Sequence, residues 1–250
     1  MTSRLAFAIE AAFQAGRSTL AHFQTGVAVS QKQDATPVTI ADQEAERIIR
    51  NLVAQKYSGE TVLGEEEGLT GASLDRWVID PIDGTKSFIA GVPLYGTLLS
   101  YEEGGEPVLG VCYFPALEEM VYAERGGGAF WNGRPCQVAG AKPLSEALMC
   151  SGSYSSMVKH GRFPGWCRLA DQAKVTRGWS DAYGHMLVAT GRADLMVDPV
   201  VSRWDISAPS LIVREAGGLW MDFQGEPELA NEGISCVPSL RESILEAFQV

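Results

Sequence analysis

The most informative stretch of the chain is Trp77-Val78-Ile79-Asp80-Pro81-Ile82-Asp83-Gly84-Thr85-Lys86-Ser87-Phe88. Its apolar start predicts a short strand, which Pro81 should end because proline cannot donate to a sheet ladder. Asp80 and Asp83 then lie at the strand end. Gly84 lets the backbone approach a ligand closely, and Thr85 offers a hydroxyl where a helical turn can begin. Such a strand end can bind a divalent cation and a phosphate side by side.

Two further acids, Glu65 and Asp205, are also predicted to lie at the end of a strand or the start of a helix. Glu65 comes after the short apolar run Thr61–Leu63, and Asp205 lies where a helix is predicted to start. Two carboxylates about 4 Å apart repel by roughly 4 kcal/mol at an effective dielectric near 20. If these acids meet, they therefore need protons or a cation among them. The neighbouring Glu66 and Glu67 are predicted to be solvated.

Composition limits the classes of function. The chain has 250 residues and a formal net charge of −11, which disfavours nucleic-acid binding because that requires a basic surface. No apolar run reaches 18 residues, so we expect no membrane span, and the N-terminus is a poor signal peptide. The five cysteines are odd in number and form no C-x-x-C pair, which argues against a disulfide framework or a zinc site. We therefore expect a reduced, cytoplasmic protein.

The pattern of helices and strands predicts two halves. Helical spacing of apolar residues predicts helices over 6–23 and, after a capping box of Thr39 and Asp42, to about Gln55. Strands separated by turns then predict an antiparallel sheet, so 1–135 forms an α+β half that carries the acidic motifs. Alternating strands and helices over 136–250 predict an α/β half. Its helices are expected over 163–173, 181–190 and 206–216, with a last helix capped by Ser239 and ending at Phe248.

A glutamate and three separated motifs occur together in one order, Glu … Asp-Pro-Ile-Asp-Gly-Thr … Trp-Asp … Glu-Ala-Gly-Gly. This order resembles the inositol monophosphatase superfamily of Mg²⁺-dependent, lithium-sensitive phosphomonoesterases. The resemblance extends from Asp34 to Gly218. It implies the superfamily's layered α-β-α-β-α sugar-phosphatase fold, an α/β architecture, and a homodimer.

The resemblance also implies a set of metal ligands. Glu65, Asp80 and the carbonyl of Ile82 would bind a first Mg²⁺, and Asp80, Asp83 and Asp205 a second. Asp34 and Asp42 would lie near the cluster or bind a third ion, so two or three ions are expected per site. Asp42 has an equally good alternative role, because acids stabilise the first turn of a helix.

The same resemblance implies roles around the phosphate. Thr85 with Glu65 would orient and help deprotonate the attacking water, and the backbone N–H groups of Gly84 and Thr85 would hold phosphate oxygens. No covalent phosphoenzyme is expected. Other phosphatase classes fit poorly: Asp80 and Asp83 do not form Asp-x-Asp, no cysteine has an arginine six residues downstream, and only three histidines are present.

Within the superfamily, the chain resembles the histidinol-phosphate phosphatase branch of histidine biosynthesis. The residues that carry this resemblance are Asp83 to Pro93 and Gly178-Trp179-Ser180-Asp181-Ala182-Tyr183-Gly184-His185. An acid with nearby rings suits the cationic amine and imidazole of L-histidinol phosphate. Asp181 and Asp198 are therefore expected to bind the organic part of the substrate. Arg177 would contact substrate or phosphate, or lie on the surface, and His185 is expected to be packed.

Three alternatives stay open at this point. The first is the same chemistry on inositol 1-phosphate or on a broad range of sugar phosphates. The second is a catalytically inactive member that binds a partner, although the complete set of acids argues against it. The third, an allosteric fructose-1,6-bisphosphatase, is disfavoured because the chain is short.

Overall fold

A computed structural model describes residues 1–32 and 36–249 of the chain, so Asp34 lies outside the described residues. From the N-terminus to Cys136 the elements are, in chain order, α1 Ser3–Thr19, β1 Val29–Gln31, β2 Pro37–Thr39, α2 Ile40–Lys56, β3 Thr61–Gly64, β4 Gly68–Thr70, β5 Arg76–Asp83, α3 Thr85–Ile89, β6 Gly96–Glu103, β7 Glu106–Phe114, β8 Glu119–Glu124, β9 Ala129–Trp131 and β10 Arg134–Cys136. The rest of the chain contains β11 Leu148–Ser151, α4 Tyr154–Lys159, α5 Phe163–Gln172, β12 Val175–Arg177, α6 Asp181–Ala189, β13 Leu195–Asp198, α7 Arg203–Glu215, β14 Leu219–Met221, β15 Gly233–Cys236 and α8 Arg241–Phe248. Single 3₁₀ turns occur at Leu144–Glu146 and Pro238–Leu240.

These elements stack in five layers. Helices α1 and α2 cover one face of a large sheet, and α6 and α7 cover its other face. The same α6 and α7 pack against a smaller sheet, whose far face is covered by α5 and α8. The order is therefore α-β-α-β-α, which confirms the predicted fold class.

The large sheet has the strand order β10-β9-β8-β7-β6-β5-β3-β4. All its neighbours are antiparallel except β3 and β5, which run parallel with Gly64 beside Ile79. The carboxyl ends of two parallel strands meet at one edge of a sheet. Glu65, directly after β3, is therefore brought to the same edge as Asp80 on β5.

Strand β5 does not end at Pro81, so that prediction is wrong. The strand continues to Asp83, and its pairing register with β6 shifts between Asp80 and Asp83. Proline is tolerated at such an irregularity because the ladder needs no N–H there. The carbonyl of Pro81 accepts a hydrogen bond from Thr97 Oγ1 at 2.8 Å.

The smaller sheet has the order β12-β11-β13-β15-β14. Strand β11 runs parallel to both β12 and β13, whereas β15 is antiparallel to both β13 and β14. The parallel strand β13 ends at Asp198, and the helices α6 and α7 begin at Asp181 and Arg203. Asp205 therefore lies in the first turn of α7.

Helix ends test the predicted caps. The capping box of Thr39 and Asp42 is confirmed: the Asp42 carboxylate accepts from Thr39 N at 2.8 Å and from Thr39 Oγ1 at 2.6 Å. The predicted Ser239 cap is wrong. Ser239 lies in a 3₁₀ turn, and its hydroxyl pairs with the backbone of Lys142, so α8 begins only at Arg241.

No helix within residues 1–32 and 36–249 combines the length and apolar character that crossing a bilayer requires.

Candidate active site

Three of the predicted acids converge where β5 ends and α7 begins. Asp80, Asp83 and Asp205 each offer a carboxylate oxygen, and these oxygens lie within 4.8 Å of one another. Asp80 and Asp83 are buried, with 2% and 6% of their surface exposed. Asp83 and Asp205 each accept a hydrogen bond from a backbone N–H: Asp83 Oδ2 accepts from Ala182 N at 2.9 Å, and Asp205 Oδ2 from Ser202 N at 2.7 Å.

Glu65 lies beside this group. It follows β3, the parallel neighbour of β5, and lines one cavity together with Asp80, Asp83 and Asp205. Oε1 of Glu65 accepts a hydrogen bond from Lys32 Nζ at 2.7 Å, and the same ammonium pairs with Glu66 Oε1 at 2.7 Å. One cation of the chain therefore already lies against this acidic group.

The electrostatics of the site oppose full ionisation. Burial, followed by the charges of Glu65, Asp83 and Asp205, raises the pKa of Asp80 well above its usual range. Burial and the neighbouring acids Asp181 and Asp205 raise the pKa of Asp83 in the same way. Burial also raises the pKa of Asp205 to about 6, against the lowering effect of its hydrogen bond from Ser202 N–H. The group therefore favours either protons or a bound cation.

Gly84 and Thr85, which are predicted to hold phosphate, come directly after Asp83 in the chain. Gly84 adopts a left-handed conformation at φ +76°, which favours glycine, and a Cβ there would come within 3.0 Å of the Leu94 carbonyl. Helix α3 begins at the next residue, and Thr85 Oγ1 donates to the Ile82 carbonyl at 3.0 Å. The same Ile82 carbonyl is the one assigned to a metal ion by resemblance, so this hydroxyl would contact a bound ion's ligand.

A cavity adjoins the acids on each side. One, of about 160 Å³, is lined by Glu65, Asp80, Ile82, Gly84 and Thr85 together with Asp83, Lys86, Asp181 and Asp205. The other, of about 230 Å³, shares those last four residues and extends to Asp198, Ser153, Ser156 and Ser180. The two cavities therefore adjoin each other as halves of one cleft, and Asp83 and Asp205 lie where they meet.

Asp181 and Asp198 bring two more carboxylates to the larger cavity. Burial raises the pKa of both groups, and Lys86 partly offsets this effect at each. Asp181 adopts φ +59°, a conformation that costs a non-glycine residue about 1–2 kcal/mol. Ser180 Oγ donates to its carboxylate at 3.0 Å. A strained acid that lines a cleft is typical of a functional position.

Two predicted residues lie farther out. Arg177 is exposed at the end of β12, its Nη1 donates to the Thr176 carbonyl at 2.8 Å, and it lines neither cavity of the cleft. Asp42 is fully buried and serves its helix cap, yet the charge of Glu65 helps to raise its pKa. Its Oδ1 has no hydrogen-bond partner among the described residues. Their roles in the reaction stay predictions.

Sequence reasoning missed two residues here. It gave Lys32 no role, although Lys32 bridges Glu65 and Glu66. It also predicted a solvated Glu66, which is wrong, because only 7% of that side chain is exposed. Burial raises the pKa of Glu66 to about 7 despite the Lys32 ammonium. The alternation of charge in the sequence carries no signal for this contact, which joins residues 33 positions apart.

The donor set fits a hard divalent cation. Carboxylate and carbonyl oxygens are the ligands that Mg²⁺ prefers, and the cluster offers no nitrogen or sulfur. Oδ1 of Asp80 is buried at the centre of the group and lacks a hydrogen-bond partner within the described part of the chain. A buried oxygen of this kind is expected where an ion completes the site.

Comparison with known proteins agrees with this geometry. Residues 1–249 match the inositol monophosphatase family. A histidinol-phosphatase of Chlorobaculum parvum is 43% identical over 237 residues, which cover 94% of this chain and 92% of that protein. An inositol-1-monophosphatase of Mesorhizobium japonicum is 37% identical and covers 90% of this chain and 87% of its own length.

Solved structures show the same fold. An inositol monophosphatase (IMPase) of Thermotoga maritima superposes with a TM-score of 0.91 at 32% identity, covering 99% of this chain and 97% of that one. The five-layered fold therefore recurs in a protein of related sequence. The chain belongs to the inositol monophosphatase family and is a phosphoric monoester hydrolase.

Proposed function

We propose that the protein is a Mg²⁺-dependent phosphomonoesterase that hydrolyses L-histidinol phosphate to L-histidinol and phosphate, as in histidine biosynthesis. One observation carries this proposal. The cavity beside the acidic cluster is lined by two additional half-buried carboxylates, Asp181 and Asp198. A phosphate ester with a cationic organic part would contact the metal ligands at one end and these carboxylates at the other.

The metal ligands follow from the cluster. Asp80, Asp83 and Asp205 would hold one Mg²⁺, and Glu65, Asp80 and the Ile82 carbonyl another. A third ion near Asp42 is part of the same proposal. When bound, these ions supply positive charge for the phosphoryl oxygens and acidify a water molecule.

The chain itself positions the reactants. Thr85 and Glu65 would orient the attacking water, since both line the smaller cavity together with Asp80. The backbone N–H groups of Gly84 and Thr85 would bind phosphate oxygens, because both residues line the smaller cavity and Gly84, without a side chain, leaves its backbone accessible there. Lys86 lines both cavities and would add positive charge beside the phosphate.

Substrate selection would depend on charge. Loss of hydration raises the pKa of both Asp181 and Asp198, and the charges of Asp181 and Asp205 raise that of Asp198 further. A cation in the cavity favours their ionised forms, whereas the hydroxyls of a polyol do so much less. Histidinol phosphate carries an ammonium group and a partly charged imidazole, so it satisfies this site better than inositol phosphate. Arg177 would add a contact only if its exposed side chain turned toward the cleft.

The main alternative is an inositol-1-phosphate or broad sugar-phosphate phosphatase. The similarity to an inositol-1-monophosphatase at 37% identity keeps it open. The higher identity to a histidinol-phosphatase, 43%, supports the first proposal.

A panel of phosphate esters tests the choice. Phosphate release would be measured with Mg²⁺ from L-histidinol phosphate, inositol 1-phosphate, fructose 1,6-bisphosphate and p-nitrophenyl phosphate. We expect kcat/KM to be highest for histidinol phosphate, and EDTA to abolish all four activities. A higher kcat/KM for inositol 1-phosphate would replace the first proposal by its alternative.

Two further predictions concern the whole chain. A homodimer and a division into halves 1–135 and 136–250 are proposed from the sequence. Light scattering would test the dimer. Separate expression of the two halves would test whether either folds alone.

A further inference from the structure

We propose that Glu46 is a positioning residue that fixes the turn carrying Glu65 and thereby sets the affinity of the site for divalent cations. This inference rests on the proposed metal site. It concerns a side chain on α2 that lines neither cavity of the cleft and would not touch the ion or the substrate.

Glu46 is fully buried, and its two carboxylate oxygens are both used. Oε2 accepts the backbone N–H of Glu66 at 2.8 Å, and Oε1 accepts that of Glu67 at 3.0 Å. The Nε of Arg50, one turn further along α2, donates to Oε1 at 2.7 Å. A buried carboxylate therefore binds two successive peptide N–H groups directly after Glu65.

Arg50 continues the same network across the turn. Its Nη2 donates to the Gly68 carbonyl at 2.6 Å, and its Nη1 to Thr70 Oγ1 at 3.1 Å. The planar guanidinium thus joins the carboxylate to the strand that follows the turn, and its fork geometry gives each bond a fixed direction.

Gly64 shows how closely Glu46 approaches the turn. A Cβ on Gly64 would lie 2.2 Å from Glu46 Oε1 and 2.5 Å from its Cδ. Only a glycine at this position leaves room for the carboxylate. In Gly64-Glu65-Glu66-Glu67, the glycine therefore leaves room for the Glu46 carboxylate, Glu65 is the proposed metal ligand, and Glu66 and Glu67 donate their N–H groups to Glu46.

These hydrogen bonds fix the backbone at Glu65 and at the two residues after it. Its own N–H donates to the Ile79 carbonyl on β5 at 3.2 Å, and the next two N–H groups are held by Glu46. The Cα–Cβ direction of Glu65 is thereby set relative to Asp80, which lies on the same strand as Ile79. Removing groups that orient metal ligands typically costs about 10–100-fold in metal affinity.

A matched control exists elsewhere in the chain. Glu215, on α7, accepts the backbone N–H groups of Gly126 and Gly128, both at 2.9 Å. This turn carries no residue assigned to the site. Glu215→Gln therefore perturbs the same kind of carboxylate–turn contact without a ligand attached to it.

The test compares Glu46→Gln with Glu215→Gln by titration calorimetry with Mg²⁺ alone, alongside thermal melting of both metal-free proteins. Glutamine keeps the volume of Glu46 but turns an NH₂ group toward the N–H of Glu66 or Glu67. We expect the Mg²⁺ dissociation constant of Glu46→Gln to rise about tenfold or more, and that of Glu215→Gln to stay within twofold of the wild-type value. High Mg²⁺ should restore the activity of Glu46→Gln.

Equal Mg²⁺ affinity in folded Glu46→Gln and in wild-type protein would overturn the inference. If Glu46→Gln does not fold, Arg50→Lys decides instead, because it keeps the charge but loses the bonds to Gly68 and Thr70. Unchanged Mg²⁺ affinity in that variant would likewise overturn the inference. Failure of wild-type protein to bind Mg²⁺ is a different result, which would remove the proposed metal site itself.

Discussion

At the scale of residues, the site gathers more negative charge than its own cations offset. Asp80 and Asp83 were predictable because a strand end with acids and glycine is visible in a continuous stretch. Asp205 was predictable from a helix start. Lys32 and Glu46 were not, because their roles come only from contacts with residues distant in the sequence. Local patterns therefore identify the candidate metal ligands, while tertiary contacts determine what holds these side chains in place.

The first prediction concerns Asp83→Asn. The amide keeps an acceptor for Ala182 N–H but removes a charge from a group in which two charges 4 Å apart interact by about 4 kcal/mol. We expect kcat/KM with Mg²⁺ to fall about a thousandfold, while the metal-free protein melts at the same temperature or higher. Asp171→Asn, on an exposed position of α5, is the control and should change neither quantity. Wild-type activity in Asp83→Asn would show that the metal assignment is wrong.

The second prediction concerns Asp181→Asn. A hydrogen bond to a charged group contributes about 1.5–3 kcal/mol, so KM for histidinol phosphate should rise about 10–100-fold. The KM for p-nitrophenyl phosphate, which has no cationic part, should stay nearly unchanged. Steady-state kinetics on both esters separates the two effects. An equal rise for both would mean that Asp181 acts on the phosphate or the metal and not on the organic cation.

At the scale of elements, the site is built from the ends of strands and the starts of helices. The parallel pair β3 and β5 brings Glu65 beside Asp80, and α6 and α7 direct their first turns at the same edge. Most of these elements were predicted, since their caps and apolar spacing are local. The continuation of β5 through Pro81 was not, because only pairing with β6 shows that the register shifts there.

The third prediction uses two matched helix caps. Thr2 caps α1 by accepting from Leu5 N at 3.2 Å, and Thr39 caps α2 while donating to Asp42. Each threonine-to-alanine change should cost about 1 kcal/mol and lower Tm by about 2–4 °C. Only Thr39→Ala should also weaken Mg²⁺ binding, because Asp42 lies near Glu65. Equal Mg²⁺ affinity in both variants would confine Asp42 to its cap.

At the scale of the whole molecule, two sheets and the helices between them close one cleft around the acids. Sequence reasoning reached the five layers through the family resemblance, because a sheet order such as β10-β9-β8-β7-β6-β5-β3-β4 is set by long-range pairing. On the proposed function, one half of the cleft would bind metal and the other the organic part of the substrate, and the two halves share Asp83, Lys86, Asp181 and Asp205. Substrate binding and hydrolysis would therefore be coupled through the same side chains.

The fourth prediction follows from the raised pKa values of Asp80, Asp83 and Asp205. In the pH range above the usual carboxyl pKa, the folded metal-free protein binds more protons than the unfolded chain, so its stability falls as pH rises. We expect Tm in EDTA to be lower at pH 8 than near pH 5.5. At pH 8, Mg²⁺ at a hundred times its dissociation constant should add about 2.7 kcal/mol and raise Tm by about 5–10 °C.

A rise of Tm with pH would contradict this link between the raised carboxyl pKa values and stability. If Tm in EDTA rose steadily from pH 7 to pH 8, where histidine is already largely neutral in the unfolded chain, the three carboxyl groups would have to ionise without cost in the folded protein. Asp83→Asn provides the internal comparison, since its Tm should depend less on pH than that of the wild-type protein.

The most direct measurement is anomalous diffraction from crystals grown with Mn²⁺, which uses the same oxygen ligands as Mg²⁺. The account predicts an anomalous peak coordinated by Asp80, Asp83 and Asp205, with a second between Glu65 and Asp80. An absence of anomalous density between these carboxylates at saturating Mn²⁺ would contradict it.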